Sequence, residues 1–238
     1  MTPVARRVKQ LVGPRIATTL RIMMRGYDRP RWGNLRRTRP FSENYGFERG
    51  TPIDRHYLHQ FLDVHRDLIT GDVLEVQTGS YTQRFGHEVR RADTFDIVPA
   101  FAPTYLCDFA HCESVIPSNT YNCLLLPNTL QHFRELDRCL AHALRVVVPG
   151  GAILASAAGS LPLTGDVPDY WRLSPDGWRE LLSRAWPGAD VTVSGHGNCL
   201  AAVAAQLGLA VEELTAAELD VHDSRYPVLM TIACRKPR

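Results

Sequence analysis

The stretch DVLEVQTGSY, residues 72–81, decides the fold. Its apolar residues predict a buried strand, and Gly79 allows the positive φ values that a tight turn requires. Glu75 places a carboxylate near the end of the strand. A buried strand, a tight turn and a nearby carboxylate are typical of a nucleotide-type ligand site at the first turn of an α/β sheet.

Segments of strand type and helix type alternate along the chain after this stretch. Such alternation predicts a mostly parallel sheet covered by helices on both faces, with ligands bound at the carboxyl ends of the strands. Those ends would bring residues 77–81, 96–97, 108–109 and 128–132 around one crevice. The predicted strands are residues 73–76, 94–98, 105–107, 123–126, 152–155, 191–193 and 228–233. The predicted helices are residues 53–69, 81–91, 133–147, 176–186 and 198–209.

Length and composition indicate one α/β domain with an additional terminal segment. The chain has 238 residues, of which 45% are hydrophobic, enough to bury a core. No apolar run approaches the roughly 18 residues of a membrane span, and the N-terminus lacks the apolar stretch of a secretory signal. The six cysteines form no CxxC pair and no zinc-type spacing with histidine. We therefore expect free thiols, no metal and a cytoplasmic location.

Basic residues are concentrated in the first part of the chain. Residues 1–50 contain 12 Lys/Arg and 3 Asp/Glu, a net charge of +9, whereas residues 51–238 contain 15 and 22, a net charge of −7. Such a basic arm can contact nucleic acid or a membrane surface, or it can pack on its own acidic body. Because no nucleic-acid motif is present, we favour packing on the body and expect no nucleic-acid partner.

Six segments in residues 32–238 carry a resemblance to a known family. They are WGNLRRTRPFSENYGFERGTPIDRHYLHQFL (32–62), GDVLEVQTGSYTQRFG (71–86), YNCLLLPNTLQHF (121–133), LRVVVPGG (144–151), DYWRLSPDGWRELL (169–182) and GNCLAAVAAQLGLAVEEL (197–214). In this order they resemble class I methyltransferases that use S-adenosylmethionine, in particular a branch of natural-product and polysaccharide pathways. The resemblance implies a Rossmann-like class I methyltransferase fold over residues 53–238, with a mostly parallel seven-stranded sheet and helices on both faces. Residues 1–52 would form a basic N-terminal extension or lid.

The resemblance also implies that the crevice binds S-adenosylmethionine. Glu75 would lie near the methionine half of the cofactor, or its carboxylate would only order the turn by accepting from backbone N–H groups. Asp96 would bond the ribose hydroxyls, and Asp108 with Phe109 would meet the adenine, although both aspartates are also common strand-end or turn residues. The other residues predicted to contact the cofactor are Gln77, Gly79, Tyr81, Ile97, Asn128 and Gln131.

Two positions depart from the pattern of the family. Gln77 stands where related methyltransferases usually have glycine, so its amide would either bond a differently placed ligand or block the cofactor. Asn122 stands where an aspartate usually precedes the fourth strand, and we expect its role to be positional rather than chemical.

Three residues are candidates for proton transfer. His132 follows the fourth strand at the predicted crevice, and the ordinary pKa of histidine suits proton transfer near neutrality. It could instead be a packed residue at the start of a helix. Asp169 is the second candidate and His196 the third, with Asn198 as the N-cap of the last helix.

Residues in two loops are candidates for substrate contact. Tyr170 and Trp171 would form a flat wall suited to an aromatic or sugar substrate. Arg172 could contact the substrate or pair with Asp169, and the loop could be a lid that only packs. The resemblance places three further candidates before or at the start of the first helix, namely Arg49, Asp54 and Arg55.

These observations leave three hypotheses of function. The first is S-adenosylmethionine-dependent methyl transfer to a hydroxyl or amine of a small natural product or sugar. The second is an enzyme of the same fold that has lost methyl transfer and catalyses a cyclisation, elimination or isomerisation. The departures from the family pattern at Gln77 and Asn122 motivate this hypothesis. The third is a non-catalytic pathway partner that uses the basic arm. The partners that we expect are a small-molecule substrate and a second copy of the chain in a homodimer, with no membrane span.

Overall fold

The computed structural model describes Thr19, residues 32–165 and residues 167–238. A boundary between two compact units lies between Arg39 and Pro40. Residues 40–52 therefore belong to the same unit as the sheet. The division of roles between a basic extension and the rest of the chain stays a prediction, because residues 1–18 and 20–31 lie outside the described part.

A seven-stranded sheet forms the centre of residues 40–238, with strand order β3-β2-β1-β4-β5-β7-β6. Strand β7 runs antiparallel to both of its neighbours, and the other pairs are parallel. The mostly parallel seven-stranded sheet expected from the sequence is confirmed. Its strands are β1 (Gly71–Val76), β2 (Val89–Asp96), β3 (Tyr105–Leu106), β4 (Tyr121–Leu126), β5 (Val147–Ala158), β6 (Asp190–His196) and β7 (Leu229–Arg235).

Helices cover both faces of the sheet. Val73 and Leu74 are consecutive in β1, so their side chains point to opposite faces, and each belongs to a different apolar cluster. The cluster around Val73 contains residues of α1 and α5, and the cluster around Leu74 contains residues of α3 and α4. The α-helices of this unit are α1 (Ile53–Val64), α2 (Ser80–Phe85), α3 (Leu136–Val146), α4 (Pro175–Ala185), α5 (Cys199–Gln206) and α6 (Ala216–Leu219).

Helix α3 shows how the sequence directs this packing. Leu136, Leu140 and Ala143 recur at helical spacing and are all buried against the sheet. Directly after α4, the buried Trp186 donates its indole N–H to the carbonyl of Leu140 across 2.8 Å, which joins the end of α4 to α3. Within the described residues, no helix has the length and apolar content that crossing a membrane requires.

Several predicted boundaries are wrong, among them the end of the first helix, which lies at Val64 rather than at residue 69. Two further differences concern the sheet. The helix expected over residues 81–91 ends at Phe85, because residues 89–96 form β2 and pair in parallel with β1. The strand expected over residues 152–155 is longer and extends over Val147–Ala158. Gly150, with a φ of 78°, lies within this strand and does not end it. In both cases pairing with a neighbouring strand overrides the local preference of the sequence.

Candidate functional site

The turn after β1 keeps a glycine-like backbone at Gln77. Gly79 has a φ of 70° and Gln77 a φ of 75°, a region that side chains other than glycine disfavour. The N–H of Gln77 donates to the carbonyl of Phe95 across 2.9 Å, which attaches the turn to β2. The side chain of Gln77 is exposed. The turn therefore has the backbone that a glycine would favour at this position, with an exposed amide side chain added to it.

Glu75 has a structural role in this turn. Its side chain is buried, with 1% of the residue exposed. One oxygen accepts from the N–H of Tyr81 at 3.0 Å, and the other accepts from the N–H and the hydroxyl of Thr82 at 2.7 and 2.6 Å. Burial raises the pKa of this carboxyl, and the three donors oppose that shift. Both oxygens therefore order the N-terminus of α2, as the turn-ordering alternative expects, and contact of Glu75 with a ligand stays a prediction.

Two aspartates end neighbouring strands and keep an open acceptor. Asp96 ends β2, and its Oδ1 accepts from the N–H of Val98 at 2.7 Å. Asp108 follows β3, and its Oδ1 accepts from the N–H of Ala110 at 2.9 Å. The Oδ2 atoms of both aspartates have no hydrogen-bond partner among the described residues. Each carboxylate can therefore order its own turn and still accept from a ligand.

Exposed apolar side chains accompany these aspartates. Ile97 is 67% exposed, and Leu106 and Phe101 are exposed as well. Phe109 is placed differently from the prediction: it is 2% exposed and stacks on Phe95 at a ring distance of 4.4 Å. We therefore correct Phe109 to a core residue, since its face is already covered by another aromatic ring.

Tyr81 and His59 pack side by side near the start of α2. Their rings lie 6.1 Å apart, and Tyr81 stacks on Phe85 at 6.4 Å. The Nε2 atom of His59 lies 3.3 Å from a guanidinium nitrogen of Arg84. Burial, with help from the Arg84 cation, lowers the pKa of His59 to about 4. His59 is therefore a neutral donor or acceptor near neutral pH, and the sequence analysis did not single it out.

Asn128 is fixed by two side chains in the turn after β4. Its φ is 48°, a left-handed conformation that asparagine tolerates better than most residues. Its side-chain amide donates to Asp54 across 2.6 Å, and its N–H donates to the hydroxyl of Ser156 at 2.7 Å. That hydroxyl donates in turn to the amide oxygen of Asn128 at 3.1 Å. The turn after β4 is therefore tied both to α1 and to β5.

Backbone partners fix the orientation of Gln131 and the tautomer of His132. The amide nitrogen of Gln131 donates to the carbonyl of Asn128 at 2.8 Å, and its oxygen accepts from the N–H of Ala158 at 3.3 Å. Nδ1 of His132 lies 2.8 Å from the carbonyl of Pro168, which can only accept, so Nδ1 carries the proton. Nε2 of His132 then accepts from the amide nitrogen of Gln131 at 3.0 Å. These hydrogen bonds make Nε2 the acceptor nitrogen of the His132 ring.

A cavity of about 210 Å³ adjoins these residues. Its walls include Asp54 and Arg55 of α1, and Gln131 and His132 after β4. Arg55 donates to Asp54 at 3.0 Å and lies 6.0 Å from the ring centre of Phe47. Seven residues that line the cavity were not predicted as site residues, namely Asn44, Tyr45, Phe47, Ala158, Leu161, Pro162 and Thr164. The two aromatic residues on either side of Gly46 were the available signal, since they interrupt a segment that is otherwise rich in turn residues.

Arg172 also borders the cavity, but its donors are already used. Its guanidinium forms a bidentate ion pair with the carboxylate of Asp169. It also donates to the carbonyls of Gly159, Leu161 and Pro162 at 2.8 to 3.2 Å. The side chain of Asp169 is 3% exposed. The alternative in which the two residues pair is therefore the observed one, and neither Arg172 as a substrate ligand nor Asp169 as a proton acceptor is retained.

The aromatic pair in the same loop divides. Tyr170 is exposed, and its N–H donates to the carbonyl of Gln131 at 2.8 Å. Trp171 packs against the core, and its indole N–H donates to the carbonyl of Phe133 at 2.7 Å. Tyr170 keeps an available ring, whereas Trp171 is corrected to a packing residue.

Two other predicted residues also have different partners. Arg49 pairs with Glu213, so it attaches the segment before α1 to the residues after α5. His196 ends β6, where its Nε2 lies 2.7 Å from the hydroxyl of Thr231 and its ring stacks on Tyr57 at 6.1 Å. Because β5 and β7 separate β6 from β4, His196 is not brought together with His132. Both residues therefore have partners within the protein, and their parts in substrate contact and proton transfer stay predictions.

Asn122 and Asn198 occupy the positions expected of them. The side-chain oxygen of Asn122 accepts from the N–H of Asp72 at 2.9 Å, at the amino end of β1 and away from the crevice. The side-chain oxygen of Asn198 accepts from the N–H of Ala201 at 3.0 Å, which makes it the N-cap of α5. A positional role for Asn122 and the cap by Asn198 are confirmed.

Comparison with known proteins shows the fold. No model of a known protein family matches the chain, and no curated protein is similar to it in sequence. A solved S-adenosylmethionine-dependent methyltransferase from Archaeoglobus fulgidus is 12% identical, with a TM-score of 0.53 over 82% of this chain and 100% of that one. The 4+2 cyclase SpnF is 15% identical, with a TM-score of 0.52 over 84% of this chain and 86% of that one. A methyltransferase of the same cofactor class from Mesorhizobium loti is 13% identical, with a TM-score of 0.51 over 77% and 98% of the two chains. The chain therefore has the Rossmann-like fold of class I methyltransferases.

Proposed function

We propose that this protein binds S-adenosylmethionine in the crevice and transfers its methyl group to a hydroxyl or amine of a small natural product or sugar. The observation that carries the proposal is the pair of strand-end aspartates, Asp96 and Asp108, each with one unpartnered carboxylate oxygen. Ribose hydroxyls and an adenine amino group are donors that such acceptors suit. The exposed Ile97 beside them offers apolar surface for the flat base.

Gln77 is compatible with this ligand. Its backbone already has the left-handed conformation of the glycine that it replaces, and the residue is exposed. A long exposed side chain can change rotamer at low cost. We therefore include Gln77, Gly79 and Tyr81 with Asp96, Ile97 and Asp108 in the proposed cofactor site.

His132 is the residue that we propose as proton acceptor. When bound, S-adenosylmethionine supplies a methyl group on a positively charged sulfur. Transfer to a hydroxyl releases the hydroxyl proton, which Nε2 of His132 can accept because Pro168 holds the other ring proton on Nδ1. Nε2 must then exchange its hydrogen bond from Gln131 for one from the substrate. The remaining contribution of the site is the orientation of the substrate.

Thermal unfolding with S-adenosylhomocysteine tests the cofactor proposal. A ligand that binds only the folded state at 100 times its dissociation constant stabilises by about 2.7 kcal/mol, so the melting temperature should rise in a concentration-dependent way. Asp190→Ala, at the amino end of β6, is a control at the opposite edge of the sheet and should show the same rise. An unchanged melting temperature at all ligand concentrations would contradict the proposal.

A second candidate is a cyclisation, elimination or isomerisation without methyl transfer. It is supported by the likeness in fold to the 4+2 cyclase SpnF and by the departure at Gln77. Product mass separates the two functions, because methyl transfer adds one CH₂ and rearrangement leaves the mass unchanged. Under this candidate, Gln77→Gly should gain affinity for S-adenosylmethionine and lose the native reaction. The cytoplasmic location, the homodimer and the alternative of a non-catalytic partner stay predictions.

A further inference from the structure

We propose that the 210 Å³ cavity beside His132 is selective for a single neutral ring that carries adjacent hydroxyl groups, held by Asp54 and Arg55. The inference deepens the proposed function and rests on it for the statement that this ring is the methyl acceptor. The chemistry is shared by a pyranose sugar and by a catechol, and the experiment below separates them.

The size of the cavity restricts the ligand to one ring. An apolar protein cavity of about 150 Å³ accommodates benzene, whereas drug-sized ligands occupy pockets of about 300–1,000 Å³. A volume of 210 Å³ lies between these limits. It accommodates one six-membered ring with its substituents, and the second ring of a fused polycyclic core would lie outside the cavity.

The walls of the cavity suit a planar aromatic ring or a puckered sugar ring. Tyr45 and Phe47 provide aromatic surface, and Leu161 and Pro162 provide aliphatic surface. Tyr45 is held in place because its hydroxyl donates to the carbonyl of Leu163 at 3.1 Å. Its φ of 55° is disfavoured for a residue with a side chain. Such conformations persist where the surrounding structure enforces them, and they concentrate at binding sites.

Most polar groups of the cavity are already satisfied. Arg172 donates to Asp169 and to three backbone carbonyls. The amide of Gln131 is engaged at both ends, and so is that of Asn128. These groups shape the cavity but offer few donors or acceptors to a ligand.

Asp54 and Arg55 are the charged exception, and the side chains of Asn44 and Thr164, which also line the cavity, have no hydrogen-bond partner in the described part of the chain. The two hydrogen bonds that Asp54 accepts from side chains, from Asn128 and from Arg55, both end on Oδ2. Its Oδ1 has no partner among the described residues. Among the described residues, Asp54 is also the only hydrogen-bond partner of the Arg55 guanidinium. An open carboxylate oxygen therefore lies beside open N–H donors.

This pairing selects hydroxyl groups over a carboxylate. A hydroxyl both donates and accepts, so adjacent hydroxyls can bond Asp54 and Arg55 at the same time. A ligand carboxylate could accept from Arg55, but it would lie beside the negative charge of Asp54 and would leave Oδ1 without a donor. The charges of the pair cancel, so the site has no net attraction for an anion.

Saturation-transfer NMR with three probes tests the inference on the full chain. The probes are methyl α-D-glucopyranoside, catechol and benzoate. We expect transfer to the ring protons of at least one hydroxylated probe and none to benzoate. Arg55→Gln should weaken that binding by at least about tenfold, since a hydrogen bond to a charged group is lost. Arg66→Gln, an exposed arginine just after α1, is the matched control and should bind as the unaltered protein does.

The outcomes separate this inference from the proposed function. S-adenosylhomocysteine should raise the melting temperature of Arg55→Gln and of the unaltered protein equally, which also shows that the variant is folded. If Arg55→Gln does not fold, Phe47→Ala, at an exposed ring, replaces it with the same expected loss. Binding of benzoate as tight as that of the hydroxylated probes, or no binding of any probe, would overturn the inference while leaving the cofactor proposal intact. Probe binding without any effect of S-adenosylhomocysteine would support the pocket and remove the proposed function.

Discussion

The carboxylate of Asp54 accepts a hydrogen bond from the side-chain amide of Asn128 across 2.6 Å. Asp54 lies in the first turn of α1 and Asn128 follows β4, so the contact joins two residues that are 74 positions apart in sequence. Asn128 has a left-handed backbone, with a φ of 48°. The contact therefore holds the turn that precedes His132, and with it one side of the cavity.

Removal of this carboxylate should destabilise the protein. Asp54→Ala leaves the amide of Asn128 and the guanidinium of Arg55 without their shared acceptor, which should cost about 1–3 kcal/mol in the free energy of unfolding. Asp63→Ala, the same change at an exposed position of the same helix, should stay within about 0.5 kcal/mol of the unaltered protein. Urea unfolding followed by circular dichroism measures both values. Equal free energies of unfolding of the two variants would show that the contact does not contribute to stability.

Arg172 should hold the loop after β5 through the shape of its guanidinium rather than through its charge. Arg172→Lys keeps the charge but cannot reach Asp169 and the carbonyls of Gly159, Leu161 and Pro162 together. We expect a loss of about 2–4 kcal/mol, because the carboxylate of Asp169 stays buried with fewer donors.

The matched control is Arg184→Lys, at an exposed pair with Glu180, which should change stability by less than about 0.5 kcal/mol. Limited proteolysis should also cut the loop over residues 160–170 faster in Arg172→Lys. Unchanged stability and unchanged cleavage in that variant would mean that charge alone is sufficient.

His59 should make stability depend on pH. Burial and the nearby Arg84 cation lower its pKa from 6.5 to about 4, so between these values the unfolded chain binds a proton that the folded state does not. The free energy of unfolding should therefore fall as pH decreases through this window, with a slope from this residue of at most about 1.4 kcal/mol per pH unit.

His59→Asn should make the pH profile shallower between pH 6.5 and 4 in urea unfolding. His87→Asn, at an exposed loop position, controls for the removal of a histidine. A profile of His59→Asn that runs parallel to that of the unaltered protein would show that this residue does not contribute to the pH dependence.

Glycine at position 77 should fit the observed backbone better than glutamine. A left-handed conformation costs a residue with a side chain about 1–2 kcal/mol, which glycine avoids. The greater freedom of glycine in the unfolded chain lowers the stability of the folded state by about 0.5–1 kcal/mol, which offsets part of this gain. Gln77→Gly should therefore leave stability unchanged or raise it by up to about 1 kcal/mol. Gln83→Gly, in the right-handed helix α2, should instead lower it by about 0.5–1 kcal/mol. Equal losses in both variants, measured by urea unfolding, would contradict the assigned φ at Gln77.

The fold could be predicted from the sequence because most strands have a local signal, a short run of apolar residues. The apolar run at Val73–Val76 and the cap at Asn198 depend on neighbours in sequence, and both are confirmed. The end of α2 at Phe85 was missed because β1 pairing decides it, and pairing is a long-range property.

The candidate site was less accessible to the same reasoning. Arg49, Arg55 and Arg172 are equivalent as residue types, and each pairs with a carboxylate. Only the structure shows that Arg172 uses all its donors, whereas Arg55 borders the cavity with open ones. Tyr45 and Phe47 were missed because they lie in a segment without helix or strand periodicity. Their position in the cavity depends on contacts with Leu163 and Arg55, which are distant in sequence.

Isothermal titration of the unaltered protein with S-adenosylmethionine and S-adenosylhomocysteine tests the central claim most directly. We predict saturable heat at one site for both compounds, a loss of affinity of at least about tenfold in Asp96→Ala, and no change in the control Asp190→Ala. Absence of saturable heat with either compound, from protein that unfolds cooperatively, would contradict the claim that this crevice binds the methyl donor.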